Sequence, residues 1–218
     1  MPNRDFLIEL SCFVQRIAAT ARTGLAFKPD GYDAERYQEL LHEAAGIAAL
    51  LEDLDDTQAV ELGDRWKAEV ASGFDGYVTT GVGCGVIAFN ERDELLLLKR
   101  LTGKWWYPTG FCDVGLTPAE HVIKEAKEET GLDVTPLRLM AILDSRHQGS
   151  ARRHLYSMLF YCRIDGGNLK ASPLEALDVG FFSLERLPEP LSMPERTWVS
   201  LAREFHFEGR REVYFDAI

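Results

Sequence analysis

The sequence is short of cysteine and of positive charge, and it contains no long apolar run. Its four cysteines, Cys12, Cys84, Cys112 and Cys162, form no C-x-x-C pair. Neither a disulfide framework nor a thiolate zinc site is therefore expected, and free thiols in a reducing, cytoplasmic compartment are the simplest reading. Lys and Arg total 24 against 35 Asp and Glu, a net charge of −11. Binding along a nucleic acid needs clustered cations to neutralise phosphates, so no nucleic-acid partner is expected. Local basic spots remain at Lys99-Arg100 and from Arg146 to Arg153, small enough to serve a phosphorylated small molecule or to be plain solvated surface. The first twenty residues carry Arg4, Asp5 and Glu9, and no stretch approaches membrane-spanning length, so neither a signal peptide nor a membrane partner is expected.

With 218 residues, 46% of them hydrophobic, the chain can bury one good-sized core and a smaller satellite. The first 70 residues read as helical. "FLIELSCFVQRIAATA", "DAERYQELLHEAAGIAALLEDL" and the weaker "TQAVELGDRWKAEVA" repeat apolar residues every three or four positions, with Asp33 expected as the N-cap of the second helix. After "SGFDG" the texture changes. "YVTTGVGCGVIAFN" and "ELLLLKR", separated by the charged turn "NERDE", are expected to form a hairpin. Further strands are expected at "LRLMAILDS", "HLYSMLFYCRI" and "VGFFSLERL", with a glycine turn at Gly166-Gly167 and a closing helix near "PERTWVSLAREFHF". Strands on both sides of one central helix predict an α+β fold, a mixed sheet sandwiched by helices and preceded by a small helical domain. The expected domains are 1–72 and 73–218.

The central helix carries the chemistry. Thr117-Pro118-Ala119-Glu120 is a capping box with proline at the first helical position, and Gly131 supplies the stop. At roughly 100° per residue, Glu125, Glu128 and Glu129 fall within one arc of the helix. Like charges at this spacing repel, so either the face is solvated, with Lys124 and Lys127 as partners, or it is stabilised by a bound divalent cation. Gly110 and Gly115 let the preceding loop fold close to the helix start and offer backbone groups to a metal or a phosphate. Hard oxygen donors in this number suit Mg²⁺ or Mn²⁺, and phosphate chemistry follows.

These residues resemble the Nudix box, G-x5-E-x7-R-E-U-x-E-E-x-G-U with U a bulky aliphatic residue, with Gly110, Glu125, Glu128, Glu129, Gly131 and Leu132 in register. The resemblance implies a Nudix-type α/β/α sandwich and a hydrolase of nucleoside diphosphate derivatives. It implies metal ligation by Glu125, Glu128, Glu129 and the Thr109 carbonyl. Three positions depart from the pattern: Leu116 stands in the first Glu slot, Lys124 in the Arg slot and Ala126 in the aliphatic slot. In the family that first Glu and the Arg form an ion pair that orients loop and helix, and losing such support is expected to lower activity by roughly 10- to 100-fold. Beyond the box, "TGLAFKPDGYDAERYQEL", "GKWWYPTGFCDVGLTPAE" and "LEALDVGFFSLERLPE" are similar to a bacterial subgroup that includes CDP-choline and ADP-ribose pyrophosphatases and whose N-terminal helices are associated with homodimers.

On that resemblance Glu125 and Glu129 are the first candidates for the catalytic site, and Glu175, in a loop before a strand, is a candidate general base or an exposed turn residue. Lys99 and Arg100 stand as phosphate ligands or as strand-edge charge. Trp106, with Trp105 and Tyr107, would stack a base or fill core. The basic loop with Arg146, flanked by His147 and His154, would contact the leaving moiety, or these are structural or solvated side chains. The alternative function is a weakened Nudix domain that binds a nucleotide ligand and regulates through its helical domain.

Overall fold

The computed structural model describes residues 4–27, 29–69, 79–113, 115–148, 154–192 and 196–216. Two compact units divide the chain, Met1–Gly81 with Asp144–Leu155, and Val82–Leu143 with Tyr156–Ile218. The boundary expected at 72/73 falls within 70–78, outside the described residues, as do 149–153 of the basic loop and the side chain of His147.

The first unit is built on three helices, α1 (Arg4–Ala26), α2 (Gly31–Leu51) and α3 (Asp56–Glu69). Val14, Ala18 and Ala21, spaced to fall on one stripe of α1, meet Leu41, Ala44, Ala45 and Ala48 of α2 and Leu62 and Trp66 of α3 in one buried cluster. Alanines at the contact let the helix axes approach closely. Asp33 is not the cap of α2. Asp30 is, with extended backbone (φ −64°, ψ 172°), and its Oδ1 accepts the Asp33 N–H at 3.1 Å. A capping side chain reaches the amide three residues on, so the cap lies one turn earlier than the apolar periodicity suggests.

The second unit holds, apart from the end residues Gly81, Asp144 and Leu155, the sheet strands β1 (Gly81–Ala88), β2 (Leu95–Arg100), β3 (Trp105–Trp106), β4 (Thr109–Phe111), β5 (Leu132–Asp144), β6 (Leu155–Gly167), β7 (Ala176–Phe182) and β8 (Tyr214–Phe215), with helices α4 (Pro118–Thr130) and α5 (Arg196–Phe207). The hairpin expected from β1 and β2 does not form. Among the described residues the two meet at the single bridge Phe89–Leu95, then part into different sheets: β4-β1-β6-β5-β8 and β3-β2-β7. Both strands are buried along most of their length. Each therefore needs cover on two faces, which separate sheets between two helices supply better than one exposed ribbon. The larger sheet is mixed, β1 antiparallel to β4 and β5 parallel to β8. Gly166 and Gly167 lie at the end of β6 and not in a separate turn.

Alternation along the strands splits the core in two. Ile87, Leu95, Leu97, Met140 and Leu159 pack with Trp198, Leu201 and Phe205 of α5. Cys84, Val86, Ala88, Leu96 and Cys162 pack with Val122 and Ala126 of α4. The expected sandwich is present, and Ala126 is fully buried, so its small side chain is what lets α4 lie close to the strands. The cysteines are free thiols, although Cys84 and Cys112, distant in sequence, bring their Sγ atoms to 3.2 Å.

Candidate active site

Helix α4 forms where its capping signals lie. Thr117 Oγ1 accepts the Glu120 N–H, the Glu120 carboxylate accepts the Thr117 N–H, Pro118 opens the first turn and Gly131 closes the last. That phase turns Glu125 and Glu129 inward, where they are 8% and 1% exposed, and leaves Glu128 outside.

Gly110 makes room for Glu125, because a Cβ there would stand 2.4 Å from the Glu125 carboxylate. On its other side Glu125 has His121, one helical turn earlier and 1% exposed, with Nε2 3.3 Å from Glu125 Oε1. That is an ion-pair distance without hydrogen-bond alignment, and among the described residues neither ring nitrogen has a hydrogen-bond partner. Burial pushes the Glu125 carboxyl above its usual value, against the opposing pull of His121 and Lys124.

Glu129 is held more tightly. Its Oε1 accepts Arg100 Nη1 at 2.8 Å and its Oε2 accepts the Thr109 N–H at 2.8 Å, while Arg100 Nη2 donates to the Thr109 carbonyl at 2.6 Å. Thr109 Oγ1 donates to the Cys84 carbonyl at 2.6 Å, fixing the residue against β1. Burial outweighs Arg100 and the Thr109 N–H, and the Glu129 carboxyl is pushed up to about 7. One guanidinium thus already bridges a buried carboxylate and a backbone carbonyl, a use that fits its fork of donors. Lys99 lies on the opposite face of β2 and is not brought to the glutamates.

The outer side of α4 is organised differently. Lys124 Nζ is 2.7 Å from Asp113 Oδ2 and 3.3 Å from Glu128 Oε2, all three side chains being substantially exposed. The Asp113 and Glu128 hydrogen bonds raise the Lys124 ammonium above its ordinary value, and the Lys124 hydrogen bond lowers the Asp113 carboxyl. Each glutamate of α4 beyond the cap therefore has its own basic neighbour: His121, Lys124 or Arg100.

Glu175 is exposed, in a turn where its N–H donates to the Ser172 carbonyl; Ser172 in turn donates to the Glu129 carbonyl, tying this loop to the end of α4. The Glu175 charge is felt at both inner carboxylates, raising each. Trp106 packs into the core, its ring 5.0 Å from Tyr107 and 6.3 Å from Trp198. Arg146 belongs to the helical unit, where its Nη2 is 2.6 Å from Asp144 Oδ2. Sequence reasoning missed His121, which helical spacing from Glu125 would have found, and Asp113, which no local pattern marks.

Among the described residues no three His, Cys, Asp or Glu side chains already stand as a ready metal cage. The donor set nevertheless fits a hard cation. It consists of carboxylate and carbonyl oxygens only, and a positive group, the Arg100 guanidinium, already lies against two of them.

The NUDIX domain pattern matches residues 79–202, more than half of the chain. The chain belongs to the Nudix family. It is an enzyme of the Nudix pyrophosphohydrolase type. A second pattern, the UDP-X-like N-terminal oligomerisation domain, matches residues 10–62. YjhB of Bacillus subtilis, provisionally named an ADP-ribose pyrophosphatase, is 37% identical over 195 residues, 88% of this chain and 89% of that one. The crystal structure of an ADP-ribose pyrophosphatase from Streptococcus suis is 35% identical, with a TM-score of 0.55, over 63% of this chain and all of that one. A UDP-X diphosphatase structure is 26% identical, with a TM-score of 0.58, over 96% of this chain and 99% of that one. Within the Nudix box Gly110, Glu125, Glu128, Glu129, Gly131 and Leu132 keep their positions, and Leu116, Lys124 and Ala126 mark the departures. Nudix hydrolases generally use a divalent metal, and no helix among the described residues is long and apolar enough to cross a membrane.

Proposed function

We propose that the protein hydrolyses the diphosphate linkage of a nucleoside diphosphate derivative, giving a nucleoside monophosphate and a phosphorylated second product. Of the two classes the sequence suggests, ADP-ribose is favoured over CDP-choline, because relatives spanning most of the chain carry the former name. The observation that carries the proposal is the Thr109–Arg100–Glu129 cluster, in which a buried carboxylate of the Nudix helix, a backbone carbonyl and a cation share one site.

Glu125, Glu129 and the Thr109 carbonyl would hold Mg²⁺ or Mn²⁺ from the inside, with Glu128 as a weaker ligand at the exposed edge of the site. When bound, such an ion neutralises charge on the diphosphate and acidifies an attacking water. The protein's own groups do the rest. Buried Glu125 and Glu129 keep carboxylates fixed beside Gly110 at the cost of desolvation, so the site gains whenever positive charge enters it. Arg100, about a quarter exposed, offsets that charge and has donors left for phosphate oxygens. Glu175, exposed and close enough to be sensed by both inner glutamates, is the general base that takes the water proton.

The helical domain, 1–72, is the assembly module and 73–218 the hydrolase. Phe6 and Phe13 of α1, seven residues apart, and Leu40, Ile47 and Leu50 of α2 are exposed apolar side chains, a surface suited to a second copy in a homodimer.

The test is phosphate release, coupled to a phosphatase, from ADP-ribose, CDP-choline, UDP-sugars and dinucleoside polyphosphates with Mg²⁺ or Mn²⁺. Metal-dependent turnover of ADP-ribose above the others is expected. Absence of turnover across the panel, with nucleotide binding retained in calorimetry, would overturn the catalytic reading.

A further inference from the structure

The Nudix pattern pairs the basic residue of the helix with a glutamate at the end of the preceding loop, and here that loop position is Leu116, about two-fifths exposed. Lys124 is nevertheless not left without a loop carboxylate. Residues 113 and 116 are the two ends of one turn, closed by the Leu116 N–H donating to the Asp113 carbonyl at 3.4 Å. Gly115 supplies the left-handed residue of that turn at φ +94°. A turn brings its ends together, so a carboxylate at the first end reaches what one at the last end would otherwise reach. The Asp113 carboxylate does so, standing 2.7 Å from Lys124 Nζ, while Glu128 lies 3.3 Å away on the other side. A lysine suits this exchange better than an arginine, because a compact ammonium with three donors takes two separate carboxylates without demanding a fork.

We propose that Asp113 is a positioning residue that has taken over the place of the missing loop glutamate. Paired with Lys124, it clamps the loop to α4 and so holds the Thr109 carbonyl beside Glu125 and Glu129. The segment between is short and already anchored, since the Cys112 N–H donates to the Val82 carbonyl and Gly110 pairs with Cys84. The Thr109 N–H already ties its near end to Glu129, and the Asp113–Lys124 contact adds a second tie to the helix at its far end, ahead of the capping box. The inference rests on the Nudix hydrolase reading for its catalytic consequence, but the clamp itself is testable without turnover.

The experiment compares the full-length protein with Asp113→Asn, Leu116→Glu and the double variant. An exposed ion pair contributes little to folding, so the melting temperature of Asp113→Asn is expected to stay near wild type. Mn²⁺ affinity, titrated by electron paramagnetic resonance, is expected to fall about 10-fold, with a similar loss in kcat. Amides 109–117 of the metal-free protein are expected to exchange faster. Adding Leu116→Glu to Asp113→Asn is expected to recover most of the Mn²⁺ affinity and the exchange protection, because it returns a carboxylate to the other end of the turn.

Wild-type Mn²⁺ affinity and exchange in Asp113→Asn, or a loss that Leu116→Glu does not repair, would overturn the proposal. Failure of the wild-type protein to hydrolyse any nucleoside diphosphate derivative would overturn the hydrolase reading, and the metal titration and exchange would still decide the clamp.

Discussion

Glu128 and Glu129 are neighbours on one helix and differ in nearly everything that matters to chemistry. Glu129 is buried, fixed by Arg100 and the Thr109 N–H, and raised to about 7. Glu128 is half exposed and shares Lys124 with Asp113. One step of about 100° along the helix separates a carboxylate that pays a desolvation cost from one that water and a partly exposed lysine satisfy. The comparison teaches that the inner row of α4, Glu125 and Glu129, is where a bound cation changes the energy most. The outer row tunes the loop.

The comparison breaks most directly at Glu129. Replacing it with Gln is expected to lower kcat by about 10²- to 10³-fold, the scale of losing a principal site for stabilising transition-state charge. Steady-state kinetics on the substrate found in the panel checks this. Arg100→Gln comes next. It leaves Glu129 buried without its cation, and since Arg100 is partly exposed a loss of about 2 kcal/mol is expected, below the range for a fully buried pair, read from urea unfolding at pH 8.

The pH dependence of the metal-free protein sharpens the same point. The folded-state pKa of Glu129 is raised above its ordinary 4.5, so its contribution to stability is complete below 4.5 and is lost as the pH rises through about 7. Stability is expected to be lower at pH 8 than at pH 5 by up to about 3 kcal/mol from this group. Glu129→Gln is expected to flatten that part of the curve. A wild-type profile unchanged by the substitution would contradict the assignment. The smallest effect belongs to Glu128→Gln, with a melting temperature near wild type and a loss in kcat of less than about 10-fold, since the side chain is exposed.

Much of this was legible in the sequence because it is local. The capping box from Thr117 to Glu120 and the stop at Gly131 set the limits and phase of α4, and that phase decides which glutamates face inward. The helical start and the mixed sheet with helices on two sides followed from periodicity. What was not legible depends on long-range contacts. The strands β1 and β2 look like a hairpin locally, and only burial on both faces sends them to different sheets. Asp30 and Asp33 both suit a cap, and one hydrogen bond chooses between them. Strands of two or three residues such as β3 and β4 carry no period to detect. Arg100 was marked as a basic residue near the site, but its grip on Glu129 and Thr109 depends on the face of β2 that meets α4. The Asp113–Lys124 pair joins residues eleven apart across a turn, and no spacing rule announces it.

The most direct test of the inner-row claim is a Mn²⁺ titration, by electron paramagnetic resonance without substrate, of wild type, Glu129→Gln and Glu128→Gln. Clear binding in wild type, retained within about 10-fold in Glu128→Gln and lost by more than that in Glu129→Gln, is predicted. Equal affinity in Glu129→Gln and wild type, or a greater loss in Glu128→Gln, would contradict it.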